Sequence, residues 1–221
     1  NIEFLLNEIL NNLDILKYEF ELILINDAST DSTLDVINRH KDRYNNIIQV
    51  ITNEINLGQS FSLLKGIKLS NHNTIVTLDG DGQNNPDDIP KLLNKYFSSN
   101  KIFLVGGLRK KRKDTLVKIF SSVVANYVRR IVLKDGCTDT GCSLKVFDKK
   151  MFLNFPKFAG MHRFLPALFK GYGAQTFFIE VDHRPRIYGK SKYGIISRLV
   201  NGLIDLVRVY RILKSQKYNI E

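Results

Sequence analysis

The chain has 221 residues, enough for one large domain or two small ones, and 43% of them are hydrophobic, which excludes a wholly disordered protein. The formal net charge of +11 predicts a polyanionic partner, either a nucleic acid, an anionic membrane surface or a phosphorylated small molecule. Two cysteines, Cys137 and Cys142, are too few for a tetrahedral zinc site and are expected to be reduced. No apolar stretch approaches the ~20 residues that span a bilayer.

Hydrophobic periodicity predicts alternating helices and strands in the first half of the chain. An amphipathic helix opens it from Ile2 to Leu13. Ser29 or Asp31 is the expected N-cap of a second helix, and Pro86 stands in the first turn of a later one. Strands are expected at four places: residues 20–25, 47–51, 74–78 and 102–106. This alternation indicates an α/β fold with a mostly parallel sheet flanked by helices.

The second half is less regular. Helices are predicted at 116–132 and 161–169, followed by a strand at 176–181. The last helix, 195–213, is apolar and basic, and Asp205 is its only acid. Such a helix suits a bilayer interface, and packing on the sheet as ordinary core is the alternative. We therefore expect a catalytic domain at 1–194 and an amphipathic interfacial helix with its tail at 195–221.

Two carboxylates follow the third predicted strand. Asp79 and Asp81 stand one residue apart at its end, with Gln83 after them and glycines in between. The carboxyl ends of strands are where α/β folds bind ligands, and oxygen ligands of this kind suit Mg²⁺ or Mn²⁺. An acidic turn without a ligand is the alternative, but the position after a strand favours a metal site.

Asp27 ends the first predicted strand as Asp79 ends the third. Two parallel strands that end in carboxylates side by side would frame one pocket, where Asp27 can accept hydrogen bonds from a nucleobase or ribose. The local sequence fits equally well with Asp27 acting as the N-cap of the next helix.

Two basic segments are candidates for anion binding. The later one places cations, a hydroxyl and a glycine within 184–192, which suits a pyrophosphate and closure over it as a lid. The earlier one, Arg109–Lys113, resembles a surface patch for an anionic membrane, with ~1 kcal/mol for each charge near acidic lipid. A solvated loop is the alternative for both. Arg109 lies just beyond a strand end, near the expected pocket, whereas His162 and His183 read as structural histidines.

Four motifs stand in order along the chain: Asn-Asp27-Ala-Ser-Thr-Asp31, Asn56-Leu-Gly58, Leu-Asp79-Gly-Asp81-Gly-Gln83-Asn-Asn-Pro86 and Arg186-x-x-Gly-x-Ser-Lys192. This order resembles family 2 glycosyltransferases, and most closely the dolichol-phosphate mannosyltransferase branch with its bacterial polyprenyl-phosphate relatives. The resemblance covers nearly the whole chain and implies the GT-A fold of nucleotide-diphospho-sugar transferases.

The resemblance also implies roles for the candidate residues. Asp79, Asp81 and Gln83 match the motif that holds Mg²⁺ or Mn²⁺ on the donor diphosphate, and Asp27 matches the acidic position that contacts the nucleotide base. The segment that closes over the phosphates is matched by Arg186, Ser191 and Lys192.

The acceptor side of the resemblance is less regular. Arg109 and the loop Asp139 to Lys145 match regions near the donor sugar and the acceptor phosphate. Cys142-Ser-Leu-Lys145 replaces the more usual Ser-Gly-Phe-Arg, so the acceptor contacts are expected to differ. With Asp81, we expect Arg109 and Asp139 to be the catalytic residues.

Family members begin with a strand that ends in Pro-x-Tyr-Asn-Glu and contacts the nucleotide. Asn1-Ile-Glu-Phe resembles the helix directly after that motif. We therefore expect a catalytic domain that is truncated at its N-terminus and lacks its first strand, with 20–25 left as an exposed inner strand.

The implied activity is metal-dependent, inverting transfer of a sugar from GDP-mannose or a UDP-sugar to a dolichyl or undecaprenyl phosphate. The enzyme would act peripherally at the cytoplasmic face of a membrane. The acceptor phosphate is already anionic, so it needs no general base. Asp139 is the best base if the acceptor is instead a hydroxyl of a polysaccharide or lipid.

Two other functions compete with this one. A basic nucleic-acid-binding protein would explain the charge but not the acidic cluster around Asp79, which would repel phosphate, so we expect no nucleic-acid partner. The second competing function is that of a fragment that binds a nucleotide sugar without catalysing its transfer.

Overall fold

The structure is a computed structural model that describes residues 1–12, 18–110, 127–185 and 195–218. The strands are β1 (Leu22–Asp27), β2 (Ile48–Asn53), β3 (Thr74–Thr77), β4 (Ile102–Arg109), β5 (Lys145–Asp148) and β6 (Gln175–Val181). The α-helices are α1 (Ile2–Asn12), α2 (Thr33–Arg43), α3 (Gln59–Leu69), α4 (Ile89–Tyr96), α5 (127–133), α6 (Lys149–Asn154), α7 (Leu165–Gly171) and α8 (Ile195–Tyr218). Short 3-10 helices lie at Pro86–Asp88 and Met161–Arg163.

The main sheet is mixed, with strand order β3-β5-β4-β6. β4 and β6 are parallel, and β5 runs antiparallel to both of its neighbours, β3 and β4. The sequence did not predict β5, which lies at the end of the expected loop 139–145. Its four residues are all buried, so the inside-outside alternation that marks a half-exposed strand is absent.

β1 and β2 form a separate parallel pair, in register from Leu22 opposite Ile48 to Asp27 opposite Asn53. Within the described residues, β1 has a hydrogen-bonded strand on one edge only. The predicted lack of a first strand beside 20–25 stays a prediction. Below the pair, Leu6 of α1 and Ile37 of α2 complete a small core with Leu24 and Ile48.

Helices cover both faces of the main sheet, so consecutive residues of its central strands are buried. Leu104 and Phe147 face an aromatic-rich core built with α6 and α7. Val105 and Val146, the next residue of β4 and the preceding one of β5, face α4. Each of these four side chains is fully buried. The sheet is thus a rigid central layer whose strand ends can position a site.

The prediction of one continuous helix over 161–169 is wrong, because two separate helices lie there. A 3-10 turn over Met161–Arg163 precedes α7, which has Pro166 in its first turn. The turn follows Gly160, whose φ of +84° is a left-handed conformation that favours glycine. This break places His162 and Arg163 at the mouth of a cleft rather than along a helix face.

α8 packs one face on the body of the protein through Val209, which is fully buried in the main core. Its opposite face carries an exposed apolar stripe made of Val200, Leu203, Ile204, Val207 and Tyr210. None of the helices in the described residues combines the length and hydrophobicity that spanning a bilayer requires. α8 therefore has both a core-packing face and an unpartnered apolar face within the described chain.

Candidate active site

A cleft of about 820 Å³ opens between the end of β3, the start of α3, the loop 140–145 and α8. Asp79 and Lys145 line it on the sheet side. Arg163, Asp205 and Arg208 line it on the helical side. The cleft therefore holds a carboxylate at a strand end and separate cations that face the same space.

Asp79 is fixed by contacts from two other segments. Gln59, the first residue of α3, donates its side-chain amide to Asp79 Oδ1 at 2.6 Å. The backbone N–H of Asp79 donates to Ser143 Oγ at 3.1 Å, and Thr77 Oγ1 donates to the carbonyl of Ser143 at 2.7 Å. The loop 140–145 and α3 thus hold the strand end in one position.

Asp79 is a partly buried acid with a second carboxylate, Asp81, close to it. Burial, and then the neighbouring charge of Asp81, raise the pKa of the Asp79 carboxyl. The positive charges of Lys145 and Arg109 act in the opposite direction without cancelling this shift. A cation bound here would offset the repulsion between the two carboxylates.

Asp81 and Gln83 form a tight turn after Asp79. The backbone N–H of Gln83 donates to Asp81 Oδ1 at 3.1 Å. The Gln83 side-chain amide lies 3.4 Å from His183 Nε2, and Asn84 pairs with His183 as an isolated antiparallel bridge. Within the described residues no three His, Cys, Asp or Glu side chains form a ready-made metal cluster. The acidic pair and the Gln83 amide stay the ligands that the sequence predicts.

Arg109 and Asp139 form a largely buried ion pair with two hydrogen bonds beside the cleft. Arg109 Nε donates to Asp139 Oδ2 at 2.7 Å, and Arg109 Nη2 donates to Asp139 Oδ1 at 2.6 Å. A β-carbon at Gly141 would lie 2.7 Å from Arg109 Nη2, so the glycine makes room for the guanidinium. Both residues are close to the predicted pocket, and both carboxylate oxygens of Asp139 accept hydrogen bonds from the guanidinium group of Arg109.

Asp27 organises the loop between β2 and α3. Its carboxylate accepts hydrogen bonds from Asn53 Nδ2 at 2.9 Å and from the backbone N–H groups of Leu57 and Gly58 at 2.8 and 2.9 Å. Burial acts to raise the pKa of Asp27, but these hydrogen bonds hold it below its usual value. The motif Asn56-Leu-Gly58 is thereby tied to the end of β1.

A family model described as "Glycosyl transferase family 2" matches residues 1–155, well over half of the chain. The chain belongs to glycosyl transferase family 2.

Sequence relatives of this family 2 chain act on polyprenyl phosphates, according to their names. It is 34% identical over 195 residues to a dodecaprenyl-phosphate galacturonate synthase from Rhizobium johnstonii, covering 87% of this chain and 57% of that protein. It is 28% identical over 188 residues to an undecaprenyl-phosphate 4-deoxy-4-formamido-L-arabinose transferase from Pseudomonas aeruginosa, covering 85% and 55%. The chain spans little more than half the length of these curated relatives.

Solved structures support the GT-A fold. Mannosyl-3-phosphoglycerate synthase from Rubrobacter xylanophilus superposes with a TM-score of 0.74 at 13% identity, covering 98% of this chain and 71% of that one. Glucosyl-3-phosphoglycerate synthase from Mycobacterium tuberculosis, in complex with Mn²⁺ and UDP-glucose, gives 0.69 at 16% identity, covering 93% and 73%. At these identities the likeness concerns the fold alone.

The structure brings together part of the site that the sequence of this family 2 protein predicts. Asp79, Asp81 and Gln83 share one turn, and Arg109, which is paired with Asp139, is close enough for its charge to act on Asp79. Arg186, Ser191 and Lys192 lie outside the described residues, so their predicted role stays a prediction. Lys111 to Lys113 of the earlier basic run also lie outside.

Arg184 is used differently from the expectation for its segment. Its Nη1 donates to both carboxylate oxygens of Glu8 at 2.7 Å, and its Nη2 donates to Asn85 Oδ1 at 2.7 Å. The backbone N–H of Arg184 donates to the carbonyl of Gln83 at 2.9 Å. Arg184 thus fastens α1 and the start of the basic segment to the Asp79–Gln83 turn instead of offering a free cation.

Several site residues were missed by the sequence reasoning. Gln59 gives no signal, because a glutamine at a helix start is common and its contact lies 20 residues away. His183 reads as structural from the sequence, yet it lies beside Gln83, 100 residues away. Arg163 and Asp205 meet only because the chain turns at Gly160. Contacts of such separation leave no periodic pattern in a single sequence.

Proposed function

We propose that this chain is the catalytic part of a glycosyltransferase that transfers a sugar from a nucleoside-diphosphate sugar to a polyprenyl phosphate. The donor half of the proposal rests on Asp79, which lines the cleft, and on Asp81 in the turn that follows it. The acceptor half rests on the two polyprenyl-phosphate relatives, which each match more than four fifths of the chain.

The donor set of the turn fits a hard divalent cation. Asp79 and Asp81 supply carboxylate oxygens, and Gln83 supplies an amide oxygen. We infer that these three residues hold Mg²⁺ or Mn²⁺ against the donor diphosphate. When bound, such an ion stabilises the negative charge that develops on the leaving diphosphate.

The proposed chemistry is a single displacement. A phosphate oxygen of the acceptor attacks the anomeric carbon of the donor sugar while the bond from that carbon to the diphosphate oxygen breaks, which inverts the configuration. The attacking oxygen is already negative, so no side chain has to remove a proton. Arg109 places positive charge near the reacting groups, and Lys145 lies in the cleft wall, where burial lowers the pKa of its ammonium group.

The hydroxyl-acceptor alternative is less well supported. It needs a general base, and Asp139 is the sequence candidate for that role. Both oxygens of Asp139 accept hydrogen bonds from Arg109, which opposes protonation of the carboxylate. The remaining candidate roles, Asp27 at the nucleotide and Arg186, Ser191 and Lys192 at the phosphates, are part of the same proposal.

We also infer that α8 lies at the surface of the membrane that carries the acceptor. Its exposed stripe of Val200, Leu203, Ile204, Val207 and Tyr210 is the kind of face that inserts among lipid headgroups. This would make 1–194 the catalytic domain and 195–221 its interfacial segment. A peripheral position on the cytoplasmic side is the arrangement we expect.

The proposal is tested by supplying GDP-mannose and a panel of UDP-sugars with undecaprenyl or dolichyl phosphate and Mn²⁺. Sugar is expected to enter the organic phase as a polyprenyl-phosphate-linked product that mass spectrometry identifies. The free polyprenol serves as the matched acceptor without phosphate. Transfer to the polyprenol at an equal rate, or no lipid product with any donor, would contradict the proposal. GDP-mannose as the preferred donor would support a mannosyltransferase-like specificity.

A further inference from the structure

A cluster of three charged residues at the helical side of the cleft is not used by the donor chemistry. Arg208 Nη1 donates to Asp205 Oδ1 at 2.8 Å, and Arg163 Nη2 lies 3.7 Å from Asp205 Oδ2. Asp205 is buried, with 5% of its surface exposed. Two guanidinium groups against one carboxylate leave the cluster with a net positive charge.

The arginines of this cluster have unused hydrogen-bonding capacity. Arg163 Nε is buried and finds no acceptor within the described part of the chain. The Arg163–Asp205 contact is long for an ion pair, and the Arg163 side chain is about one third exposed. The Arg208 guanidinium lies 5.2 Å from the centre of the Phe158 ring, which supports it from one side. Both guanidinium groups line the cleft that contains Asp79.

The cluster adjoins the exposed apolar stripe of α8. Ile204 belongs to both, because it lines the cleft and is 53% exposed. Ile204 and Arg208 are four residues apart, so they are neighbours on the same helix face. One ligand with an apolar chain and an anionic head could therefore contact the stripe and the two arginines at once.

We propose that Arg163 and Arg208 form the binding site for the phosphate of a prenyl phosphate acceptor whose chain lies along the α8 stripe. A phosphate monoester carries about −1.5 to −2 charges at neutral pH by analogy with phosphoamino acids, which complements the net positive cluster. Asp205 keeps the two arginines apart and oriented towards the cleft. The inference deepens the proposed function and rests on it for the identity of the lipid.

The site is tested by calorimetric titration of farnesyl phosphate, a short prenyl monophosphate, into the protein without donor. The wild type is expected to bind it, and Arg163→Gln and Arg208→Gln are each expected to weaken binding by tenfold or more. Arg208→Lys, which keeps the charge, is expected to recover part of the affinity. Ile204→Gln is expected to weaken farnesyl phosphate binding while leaving the weaker binding of inorganic phosphate unchanged.

Arg211→Gln is the matched control, since Arg211 is an exposed arginine of α8 that does not line the cleft. It is expected to change the Kd less than twofold. An equal loss in Arg211→Gln and Arg208→Gln would show general attraction to a basic helix and overturn the site. Wild-type-like binding in both cleft variants, with melting temperatures unchanged, would overturn it as well, as would the absence of binding to the wild type.

The outcome is separable from that of the proposed function. Arginine-dependent binding of farnesyl phosphate without any sugar transfer would support the site and reject the transferase activity. Sugar transfer to polyprenyl phosphate with the same acceptor KM in wild type and Arg208→Gln would reject the site and leave the activity standing. Binding of a nucleotide sugar with Mn²⁺ is expected to be the same in both proteins.

Discussion

The carboxylate of Asp205 occupies the space that a β-carbon on Gly160 would need. A β-carbon built there would overlap Asp205 Oδ2, lie 3.3 Å from Asp205 Cγ and come within 2.9 Å of Arg163 Nη2. Gly160 also has a φ of +84°, which is unfavourable for other residues. This single glycine therefore allows α8 to dock its only acid against the turn before α7.

Gly160→Ala is expected to destabilise the protein by at least ~2 kcal/mol, because it combines a strained backbone with the displacement of a buried carboxylate. Gly202→Ala is the matched control, since a β-carbon at Gly202 in α8 meets nothing within 4 Å. It should leave stability unchanged or raise it by up to ~1 kcal/mol through helix propensity. Urea unfolding measures both, and equal midpoints for the two variants would contradict the account.

The Arg109–Asp139 pair is expected to be structural as well as functional. Asp139→Asn leaves a mostly buried guanidinium without its carboxylate, which costs about 3–5 kcal/mol for a buried pair. The exposed pair Lys110–Glu180, at 3.7 Å, is the control, and Glu180→Gln should cost less than ~1 kcal/mol. Thermal or chemical unfolding of the two variants gives the comparison. Similar losses of unfolding free energy in the two variants would show that burial does not determine how much the Arg109–Asp139 pair stabilises the protein.

Asp27 is expected to position the loop between β2 and α3, because its carboxylate accepts hydrogen bonds from two backbone N–H groups of that loop. In Asp27→Asn, one of the two backbone N–H groups of Leu57 and Gly58 would face an amide N–H, and about 1–3 kcal/mol of stability should be lost. Nucleotide-sugar binding should weaken in the same variant, which calorimetry can measure. Asp42→Asn, an exposed substitution on α2, is the control. Unchanged stability in Asp27→Asn would contradict this role.

His162 is expected to make the protein sensitive to mild acid. Burial, with a smaller effect of the Arg163 charge, lowers the pKa of His162 to about 3, while the unfolded value is near 6.5. Between these values the unfolded chain binds a proton that the folded protein does not. The free energy of unfolding therefore falls by ~1.4 kcal/mol for each pH unit as the pH decreases from 6.5.

This contribution is measured by comparing wild type with His162→Gln from pH 7 to 4.5. The difference in unfolding free energy between the two proteins should shift steadily in favour of the variant as the pH falls. Parallel pH profiles would mean that His162 titrates normally in the folded state.

The sequence predicted best the motif whose residues lie within one turn of the chain. Asp79, Asp81 and Gln83 are close because they are neighbours in the chain, so their meeting needed no knowledge of the fold. The strand ends at Asp27 and Asp79 followed from the alternation of helices and strands, which is a strong signal in this half of the chain. The fold class could therefore be predicted from the sequence, whereas the assignment of these three residues as metal ligands stays a prediction.

Strand β5 and the helical side of the cleft could not be predicted in the same way. β5 was missed because all four of its residues are buried and it is too short for a pattern. The partners Arg163 and Asp205 are joined by packing of α8 and by the backbone at Gly160, which no local rule predicts. Arg184 looked like a phosphate ligand by composition, but Glu8 and Asn85 occupy its guanidinium.

The most direct test of the account measures sugar transfer to undecaprenyl phosphate as a function of Mn²⁺ for wild type and Asp81→Asn. The wild type is expected to be inactive in EDTA and to recover on addition of Mn²⁺, because the ion stabilises the leaving diphosphate. Asp81→Asn should lose at least 100-fold in rate, on the order of the loss caused by removing one transition-state stabilising group, and Asp42→Asn should match the wild type. Transfer that continues in EDTA, or an Asp81→Asn protein as active as the wild type, would contradict the assignment of this turn as the catalytic metal site.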